Sequence, residues 1–248
     1  MTATRRPLKT LERVISKAGL GSRTEARRWI HAGRATVNGR RIENPDHWVD
    51  LERDQVRFDG KPLKAVARVY VLLHKPTGYL TTYKDPDGRP TVYALLKDVG
   101  TFVSPVGRLD LETSGLLLLT NDTQLAERVT NPESHVPKTY LVTASRALAD
   151  GELEQLRRGV ELNDGLTRPA QVARAAGAEN QVLLTITEGR NRQVRRMIEA
   201  LGATVEALAR TRIGSIAAES LPVGAWRHLS ASEVDSLRMK PRKKGSTT

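Results

Sequence analysis

The stretch Gly107-Arg-Leu-Asp-Leu-Glu-Thr-Ser-Gly-Leu-Leu-Leu-Leu-Thr-Asn-Asp122 is the most informative part of the chain. It sets a carboxylate, Asp110, between the cation Arg108 and a polar, glycine-containing turn predicted at 113–115. The four leucines that follow form a run short and apolar enough for a buried strand. A polar loop fixed to a buried strand can hold one reactive side chain at a surface. The alternative is a surface turn with an ordinary Arg–Asp ion pair.

The chain is strongly basic. Its 248 residues include 40 Lys and Arg against 28 Asp and Glu, which gives a net charge of +12. Such an excess favours a polyanionic partner, and nucleic acid is the commonest one. A membrane-surface protein is the alternative class, but the sequence has no long basic amphipathic helix and no apolar run of about 18 residues. We therefore expect a nucleic-acid-binding protein with no membrane partner.

The chain contains no cysteine, which excludes disulfides, thiol nucleophiles and cysteine-bound zinc. This composition and the absence of a signal-peptide pattern fit a cytoplasmic protein. The five histidines are not at the close spacing of metal ligands, so the sequence predicts no metal site.

Residues 1–66 are predicted to form a small basic domain and its linker. Apolar residues from Leu11 to Ala18 recur at helical spacing, and Ser22 followed by Glu25 is a capping-box signature for a second helix over about 23–31. The Asn38-Gly39 pair predicts a hairpin over 34–42. Two helices followed by a hairpin are therefore expected.

Positive charge is concentrated in this domain, where residues 1–47 hold eleven Lys and Arg against four Asp and Glu, a net charge of +7. A solvated helix face is the ordinary interpretation of such a run, but its concentration favours an RNA-binding surface. The segments Gly21-Ser-Arg-Thr-Glu-Ala-Arg-Arg-Trp-Ile30 and Gly33-Arg-Ala-Thr-Val-Asn-Gly39 resemble the S4 RNA-binding domain, a resemblance that implies docking on structured RNA. The candidate RNA-binding residues here are Arg23, Arg27, Arg28, Arg34 and Arg40.

Residues 67–238 are predicted to form a larger α+β domain on a mixed, mainly antiparallel sheet. Segments rich in Val, Leu, Ile, Thr and Tyr predict strands at 68–74, 116–120, 139–145 and 181–187. Helices are expected at 91–97, 123–129, 150–158, 191–201 and 231–238. The basic tail, 239–248, is expected to be disordered until it contacts a polyanion.

Three further segments accompany the Asp110 stretch. The first is Lys75-Pro-Thr-Gly78 with Asp87-Gly-Arg-Pro-Thr-Val92, and the second is Lys138-Thr-Tyr140. The third, Glu188-Gly-Arg-Asn-Arg-Gln-Val-Arg-Arg-Met197, brings four arginines to the start of a helix, where cations oppose the helix macrodipole. A solvent-facing helix start is the alternative, but mutual repulsion favours anions among these cations, such as a carboxylate or a phosphate backbone.

Taken together, Gly107-Arg-Leu-Asp110, Lys138-Thr-Tyr140 and Arg192-Gln-Val-Arg195 behind an S4-like domain resemble the RsuA/RluB type of ribosomal RNA pseudouridine synthase. The resemblance covers nearly the whole chain and is greatest to the B-type enzymes that act on 23S RNA of the large subunit. It implies isomerisation of a uridine in RNA: the N1–C1′ bond breaks, the base rotates, and C5 joins C1′. It also implies that no cofactor or metal is required.

The resemblance assigns roles to individual residues. Asp110 matches the catalytic nucleophile, which attacks either C6 of the base or C1′ of the ribose. Arg195 matches the basic residue that pairs with this carboxylate, although Arg108 is a competitor for that role. Tyr140 matches the tyrosine that stacks on the flipped base, and a core strand tyrosine is its alternative. The candidates for RNA contacts in this domain are Arg108, Arg190, Arg192 and Arg196.

The expected partner is ribosomal RNA or a ribosome assembly intermediate, and the chain is expected to be a monomer. Three alternatives remain: the same chemistry on 16S RNA, a non-catalytic RNA-binding or assembly protein, and a general DNA-binding protein. The last lacks a defensible recognition helix.

Overall fold

The computed structural model describes residues 8–64, 66–218 and 220–239. These residues divide into two units. One comprises the chain up to Val69 together with Asp98–Ser104, and the other comprises Tyr70–Lys97 together with the chain from Pro105. No pattern in the sequence indicated that Asp98–Ser104 would join the first unit. Apart from Met239, the predicted basic tail lies outside the described residues.

The first unit combines two helices with short strands. Its elements are β1 (Lys9–Thr10), α1 (Leu11–Lys17), α2 (Arg23–His31), β2 (Ala35–Val37), β3 (Arg40–Ile42), β4 (Trp48–Val49), β5 (Val56–Phe58) and β6 (Lys61–Pro62). The capping box predicted for α2 is present: the Glu25 N–H donates to Ser22 Oγ at 3.2 Å, and the Ser22 N–H donates to the Glu25 carboxylate at 3.0 Å. The predicted hairpin is the β2–β3 pair, with Asn38 and Gly39 at positive φ.

The second unit is built around a large sheet. Its strands are β7 (Tyr70–Lys75), β8 (Ser104–Pro105, whose first residue belongs to the first unit), β9 (Thr113–Thr120), β10 (Lys138–Ala144), β11 (Glu161–Leu162), β12 (Gly165–Leu166), β13 (Gln171–Arg174), β14 (Gln181–Ile186), β15 (Val205–Ile213), β16 (Ile216–Ala217) and β17 (Trp226–His228). Its α-helices are α3 (Thr123–Thr130), α4 (Asp150–Arg158), α5 (Gln193–Glu199) and α6 (Ala231–Arg238). The helix predicted at 91–97 is a short 3₁₀ turn, Val92–Leu95.

The main sheet has the strand order β13-β14-β10-β15-β9-β7-β17. All neighbours along this path are antiparallel except β15 and β9, which run parallel. The predicted mixed, mainly antiparallel α+β fold is therefore confirmed. Strand β15, at the centre of the sheet, was not predicted, because Glu206, Arg210 and Arg212 interrupt its apolar pattern.

The four leucines at 116–119 are buried in β9, as predicted. Leu116 and Leu118 pack into a cluster with Leu125 of α3 and Leu237 of α6. Side chains alternate between the two faces of a strand, so the intervening leucines, which are also fully buried, belong to the opposite face. Strand β9 is thus covered on both faces and provides a rigid base for the segment that precedes it.

The predicted turn at 113–115 is wrong, because these residues are the first three of β9. Gly115 (φ +103°) lies opposite Arg210 of β15, and a Cβ atom added there would meet the Arg210 carbonyl oxygen at 2.3 Å. The glycine permits the close approach of two strands and does not form a turn.

Candidate active site

Asp110 lies in a short loop directly before β9. The loop starts at Gly107 (φ +75°), and the N–H of Thr113 donates to the Asp110 carbonyl oxygen at 3.1 Å. The Asp110 side chain is 35% exposed. A carboxylate is therefore presented at the surface by a backbone attached to a buried strand.

A buried lysine fixes the backbone of this loop. The Nζ of Lys75, the last residue of β7, donates to the carbonyl oxygens of Pro76 at 3.0 Å, Asp110 at 3.1 Å and Thr113 at 2.8 Å, with a longer contact to Leu111 at 3.5 Å. Lys75 is fully buried, and burial lowers its pKa to about 8 against the opposing effect of the Asp110 charge. The ammonium group thus connects the chain at the end of β7 to the loop that contains Asp110.

The chain that follows β7 holds the loop at two more points. The Gly78 N–H donates to the Leu111 carbonyl oxygen at 2.8 Å. The buried hydroxyl of Thr81 donates to the Leu109 carbonyl oxygen at 2.7 Å and accepts the Leu109 N–H at 3.3 Å. Hydrogen bonds therefore fix the main chain on both sides of Asp110, and its direction does not depend on its own side-chain contacts.

Asp110 borders a pocket of about 420 Å³, within the usual size range of ligand sites. At its edge, Arg108 is exposed and the Arg192 side chain is 44% exposed, whereas Tyr140, Arg195 and Arg210 are buried. The pocket is thus basic from its edge to its interior. Its lining cations are Arg108, Lys138, Arg190, Arg192, Arg195 and Arg210.

The structure pairs Asp110 with a different arginine from the one predicted. Nη1 of Arg192 lies 3.9 Å from the Asp110 carboxylate and 3.4 Å from that of Glu112. Arg195, the predicted partner, instead donates to the carbonyl oxygens of Val205 at 3.2 Å and Glu112 at 3.3 Å. The reason is the backbone. Arg192 adopts a left-handed conformation (φ 47°) at the start of α5, and this conformation sets the direction of its side chain. The spacing of residues in the sequence does not reveal that direction.

Tyr140 lies in β10 directly opposite Arg210 of β15, and both line the pocket. Lys138 is two residues before Tyr140 and so lies on the same face of β10. Burial, together with the nearby charge of Arg210, lowers the pKa of Lys138 to about 8. Neither Lys138 nor Arg210 was among the predicted site residues. Lys138 belongs to one of the quoted motifs, but Arg210 could have been recognised as a pocket residue only if strand β15 had been predicted.

Comparison with known proteins identifies both units. Residues 69–200 match the family model described as RNA pseudouridylate synthase, and residues 10–64 match the S4 domain.

The chain belongs to the RNA pseudouridylate synthase family. It is 39% identical to the ribosomal large subunit pseudouridine synthase B of Vibrio cholerae over 92% of this chain and 74% of that protein. It is also 39% identical to the ribosomal small subunit pseudouridine synthase A of Yersinia pestis, over 92% and 97% of the two chains. A crystal structure of a pseudouridylate synthase matches with a TM-score of 0.66 and 32% identity, covering 92% of this chain and 99% of that one. The resemblance stated from the motifs is confirmed, and the chain is an isomerase.

Two of the synthase unit's candidate RNA contacts, Arg190 and Arg196, form hydrogen bonds with residues 164–166. Arg196 donates to the Asp164 carboxylate at 2.9 and 3.1 Å, and hydrogen bonds from Arg196 hold the Asp164 pKa below its usual value. Nη1 of Arg190 bonds the Gly165 carbonyl oxygen at 2.7 Å, and Nη2 bonds that of Leu166 at 2.6 Å. Both arginines support the β11–β12 hairpin. By contrast, the exposed Arg108 side chain has no hydrogen bond or ion pair within the part of the chain that the structure describes.

Three of the five S4 candidates also make ion pairs. Arg23 and Arg27 both bond the buried carboxylate of Glu12, and Arg27 bonds Asp46 at 2.9 Å. Burial alone would raise the pKa of Glu12, but these hydrogen bonds hold it below its usual value. Arg34 Nε donates to Asp59 at 2.9 Å.

The remaining two S4 candidates, Arg28 and Arg40, are exposed, and within residues 8–64 and the other described segments their side chains have no hydrogen-bond or ion-pair partner. Arg34 differs further, because its guanidinium carbon also lies 4.6 Å from the ring centre of Phe58 and 5.4 Å from that of Trp29. Within the basic S4 surface, structural cations and free cations can thus be distinguished.

Among the described residues, no group of three or more His, Asp or Glu side chains could hold a metal ion. No helix in the described ranges has the length and apolarity required to cross a membrane.

Proposed function

We propose that this synthase isomerises a specific uridine to pseudouridine in 23S ribosomal RNA, with Asp110 as the nucleophile. The observation that carries the proposal is the fixed presentation of the Asp110 carboxylate at a basic pocket. The names of the relatives support ribosomal RNA as the substrate, since one acts on the large and one on the small subunit. The Asp87-Gly-Arg-Pro-Thr-Val92 and Lys138-Thr-Tyr140 segments favour the large subunit.

The Asp110 carboxylate attacks either C6 of the uracil or C1′ of the ribose, and either reaction requires an ionised nucleophile in a fixed position. Arg192, 3.9 Å away, places a positive charge beside this carboxylate. Arg195 acts on the same loop through the Glu112 carbonyl oxygen. The two arginines thus share the role that sequence analysis gave to Arg195 alone.

Tyr140 stacks on the uracil inside the pocket, where the residue is 9% exposed. The base must leave its helical stack to reach this depth, at a cost of a few kcal/mol. Contacts to RNA phosphates from Arg28, Arg40 and Arg108 offset that cost and position the RNA without reading its bases. Arg23, Arg27, Arg34, Arg190 and Arg196 shape the same surfaces while bound to their acidic partners.

The test is replacement of Asp110 by Asn. Ribosomal RNA labelled with tritium at C5 of uridine releases tritium when C5 joins C1′, and D110N is expected to release none. The matched control is Asp87→Asn, a change of the same chemistry at a side chain that is 71% exposed. Turnover by D110N would refute the nucleophile. RNA binding without turnover by the unaltered protein would favour a non-catalytic ribosome-assembly protein.

The RNA target is tested by offering 23S and 16S transcripts, each as naked RNA and as assembly intermediates, to the purified protein. We expect conversion at one site in 23S RNA. Conversion confined to 16S RNA would place this chain with its small-subunit relative, and mapping pseudouridines in cells with and without the gene would identify the position.

A further inference from the structure

Two cations, the half-buried Lys138 and the buried Arg210, flank Tyr140 on one face of the main sheet. Lys138 precedes it by two residues on β10, and Arg210 is its direct partner on β15. All three side chains line the pocket that contains Asp110. The arrangement is formed by the neighbouring strands of the sheet itself, and not by loops.

Neither cation is neutralised by an acidic side chain. Lys138 donates to the Val136 carbonyl oxygen at 3.3 Å, and Nε of Arg210 donates to the Leu116 carbonyl oxygen at 2.7 Å. In the described ranges of the chain, no carboxylate makes an ion pair with either of them. Nη2 of Arg210 is buried with no hydrogen-bond partner, although the residue is only 4% exposed. A cation removed from water without an acidic partner is costly, for the buried Arg210 above all, which points to an anionic or strongly polar ligand between the two.

The position of both groups in the wall of the pocket indicates which part of an RNA nucleotide they meet. Phosphates remain on the backbone outside a pocket, where Arg108 and Arg192 are exposed. In the proposed function the base enters the pocket and stacks on Tyr140, which Lys138 and Arg210 flank. The only polar groups on the exposed edges of uracil that match cations are its carbonyl oxygens, O2 and O4.

We infer that Lys138 and Arg210 bind the uracil carbonyl oxygens and stabilise the negative charge that the ring carries while it is detached from the ribose. When the N1–C1′ bond breaks, its electron pair stays on the uracil and is delocalised onto O2 and O4. A ring electron pair then forms the C5–C1′ bond, the Asp110 carboxylate leaves the carbon that it attacked with the electron pair of that bond, C5 loses its proton, and N1 gains one. Both cations keep their protons, and no co-reactant is needed. The inference rests on the proposed function, and it holds for attack at C6 or at C1′.

The first test measures single-turnover conversion with saturating enzyme. Loss of one such donor is expected to lower the rate about 100-fold. We therefore expect R210Q and K138Q each to be slower by about that factor, with an unchanged dissociation constant for the RNA. The control, Arg212→Gln, removes the same charge from an exposed side chain of the same strand and is expected to convert at the unaltered rate. Circular dichroism confirms folding, and the milder K138Q keeps the test valid if R210Q unfolds.

The second test asks whether the cations act on the carbonyl oxygens. The target uridine is replaced by 2-thiouridine or 4-thiouridine, whose sulfur accepts hydrogen bonds weakly and itself stabilises negative charge. The loss caused by R210Q is expected to be smaller on one of these substrates than on uridine, and R210K is expected to restore part of the rate. Equal losses on all three substrates, or weaker RNA binding with an unaltered rate, would assign the cations to a phosphate and overturn the inference.

The two proposals fail in different ways. If R210Q and K138Q convert uridine as fast as the unaltered protein, this inference is wrong while the proposed function stands. If the unaltered protein does not convert uridine, or if D110N does, the proposed function itself is wrong.

Discussion

Nζ of Lys75 donates a 3.1 Å hydrogen bond to the carbonyl oxygen of Asp110, so that a buried cation holds the main chain of the proposed nucleophile. Replacement of Lys75 by Met keeps the length of the side chain but removes every donor to the loop. Each carbonyl left buried without a partner costs about 1–3 kcal/mol of unfolding free energy. A displacement of the carboxylate by about 1 Å is expected to lower turnover about 100-fold.

Denaturant unfolding and single-turnover conversion measure these two effects, with Lys97→Met as the control at an exposed lysine of the same unit. A K75M protein that is less stable but converts uridine at the full rate would show that Lys75 does not position Asp110.

Gly115 is expected to tolerate no side chain. In Gly115→Ala, the Cβ atom would meet the Arg210 carbonyl oxygen at 2.3 Å and the residue would keep a φ of +103°. We expect a loss of at least about 3 kcal/mol in unfolding free energy, the sum of backbone strain and overpacking. Gly88→Ala carries a similar positive φ in open space and is expected to lose only about 1–2 kcal/mol. Equal losses in thermal or denaturant unfolding would contradict the close approach of β9 and β15.

Arg192 combines an unfavourable backbone conformation with an ion pair to Asp110. Arg192→Gly relieves the left-handed strain and is expected to raise the unfolding free energy by up to about 1 kcal/mol. The same change removes the cation beside the proposed nucleophile and is expected to slow conversion at least about tenfold. Arg157→Gly, in an ordinary helix, should instead be destabilising. If conversion by R192G is unaltered, Arg192 has no part in the chemistry.

The S4 arginines are expected to fall into two groups, according to whether another side chain of the protein bonds them. Arg28→Ala and Arg40→Ala should each weaken RNA binding and lower the slope of log affinity against log salt by about 1, without loss of stability. Arg34→Ala removes the bonds to Asp59 and the contact with Phe58, so it should lower stability instead. Filter binding at several salt concentrations and thermal unfolding distinguish the two outcomes. A stability loss in R28A would show a structural partner that the fold does not reveal.

Lys138 is expected to make the stability of the folded protein vary with pH in the alkaline range. Its pKa is about 8 in the folded protein, below its usual value of about 10.4 in an unfolded chain. Between these values the unfolded chain binds more protons, so the free energy of unfolding gains a term that rises with pH. Lys138→Met lacks that term. The stability of the unaltered protein relative to K138M should therefore increase from pH 8 to 10, and a constant difference would contradict the lowered pKa.

Much of the fold could be predicted from local signals. The capping box at Ser22, the Asn38-Gly39 turn and the four leucines of β9 each appear where the sequence indicated, because each depends on neighbours in the chain. Strand β15 escaped prediction because Arg210 is a buried cation within it, and a charged residue in a buried strand is chemically exceptional.

The site itself was predictable only in part. Asp110 and Tyr140 belong to motifs, and both line one pocket. The partner of Asp110 was mistaken because the direction of Arg192 depends on a single left-handed residue. The hydrogen bonds of Lys75 and Thr81 could not be foreseen, since they end on carbonyl oxygens, which carry no sequence signal.

The parallel pairing of β9 with β15 also determines when the pocket can form during folding. Leu116 and Arg210, joined by a hydrogen bond across these strands, are 94 positions apart in the chain. Contacts of such high sequence separation form slowly, since loop-closure entropy is lost before they are made. During synthesis, the Asp110 loop emerges from the ribosome long before the strand that completes its wall. A nascent chain that has not reached Ile213 therefore has the proposed nucleophile but lacks one wall of the pocket, and we expect it to isomerise no uridine.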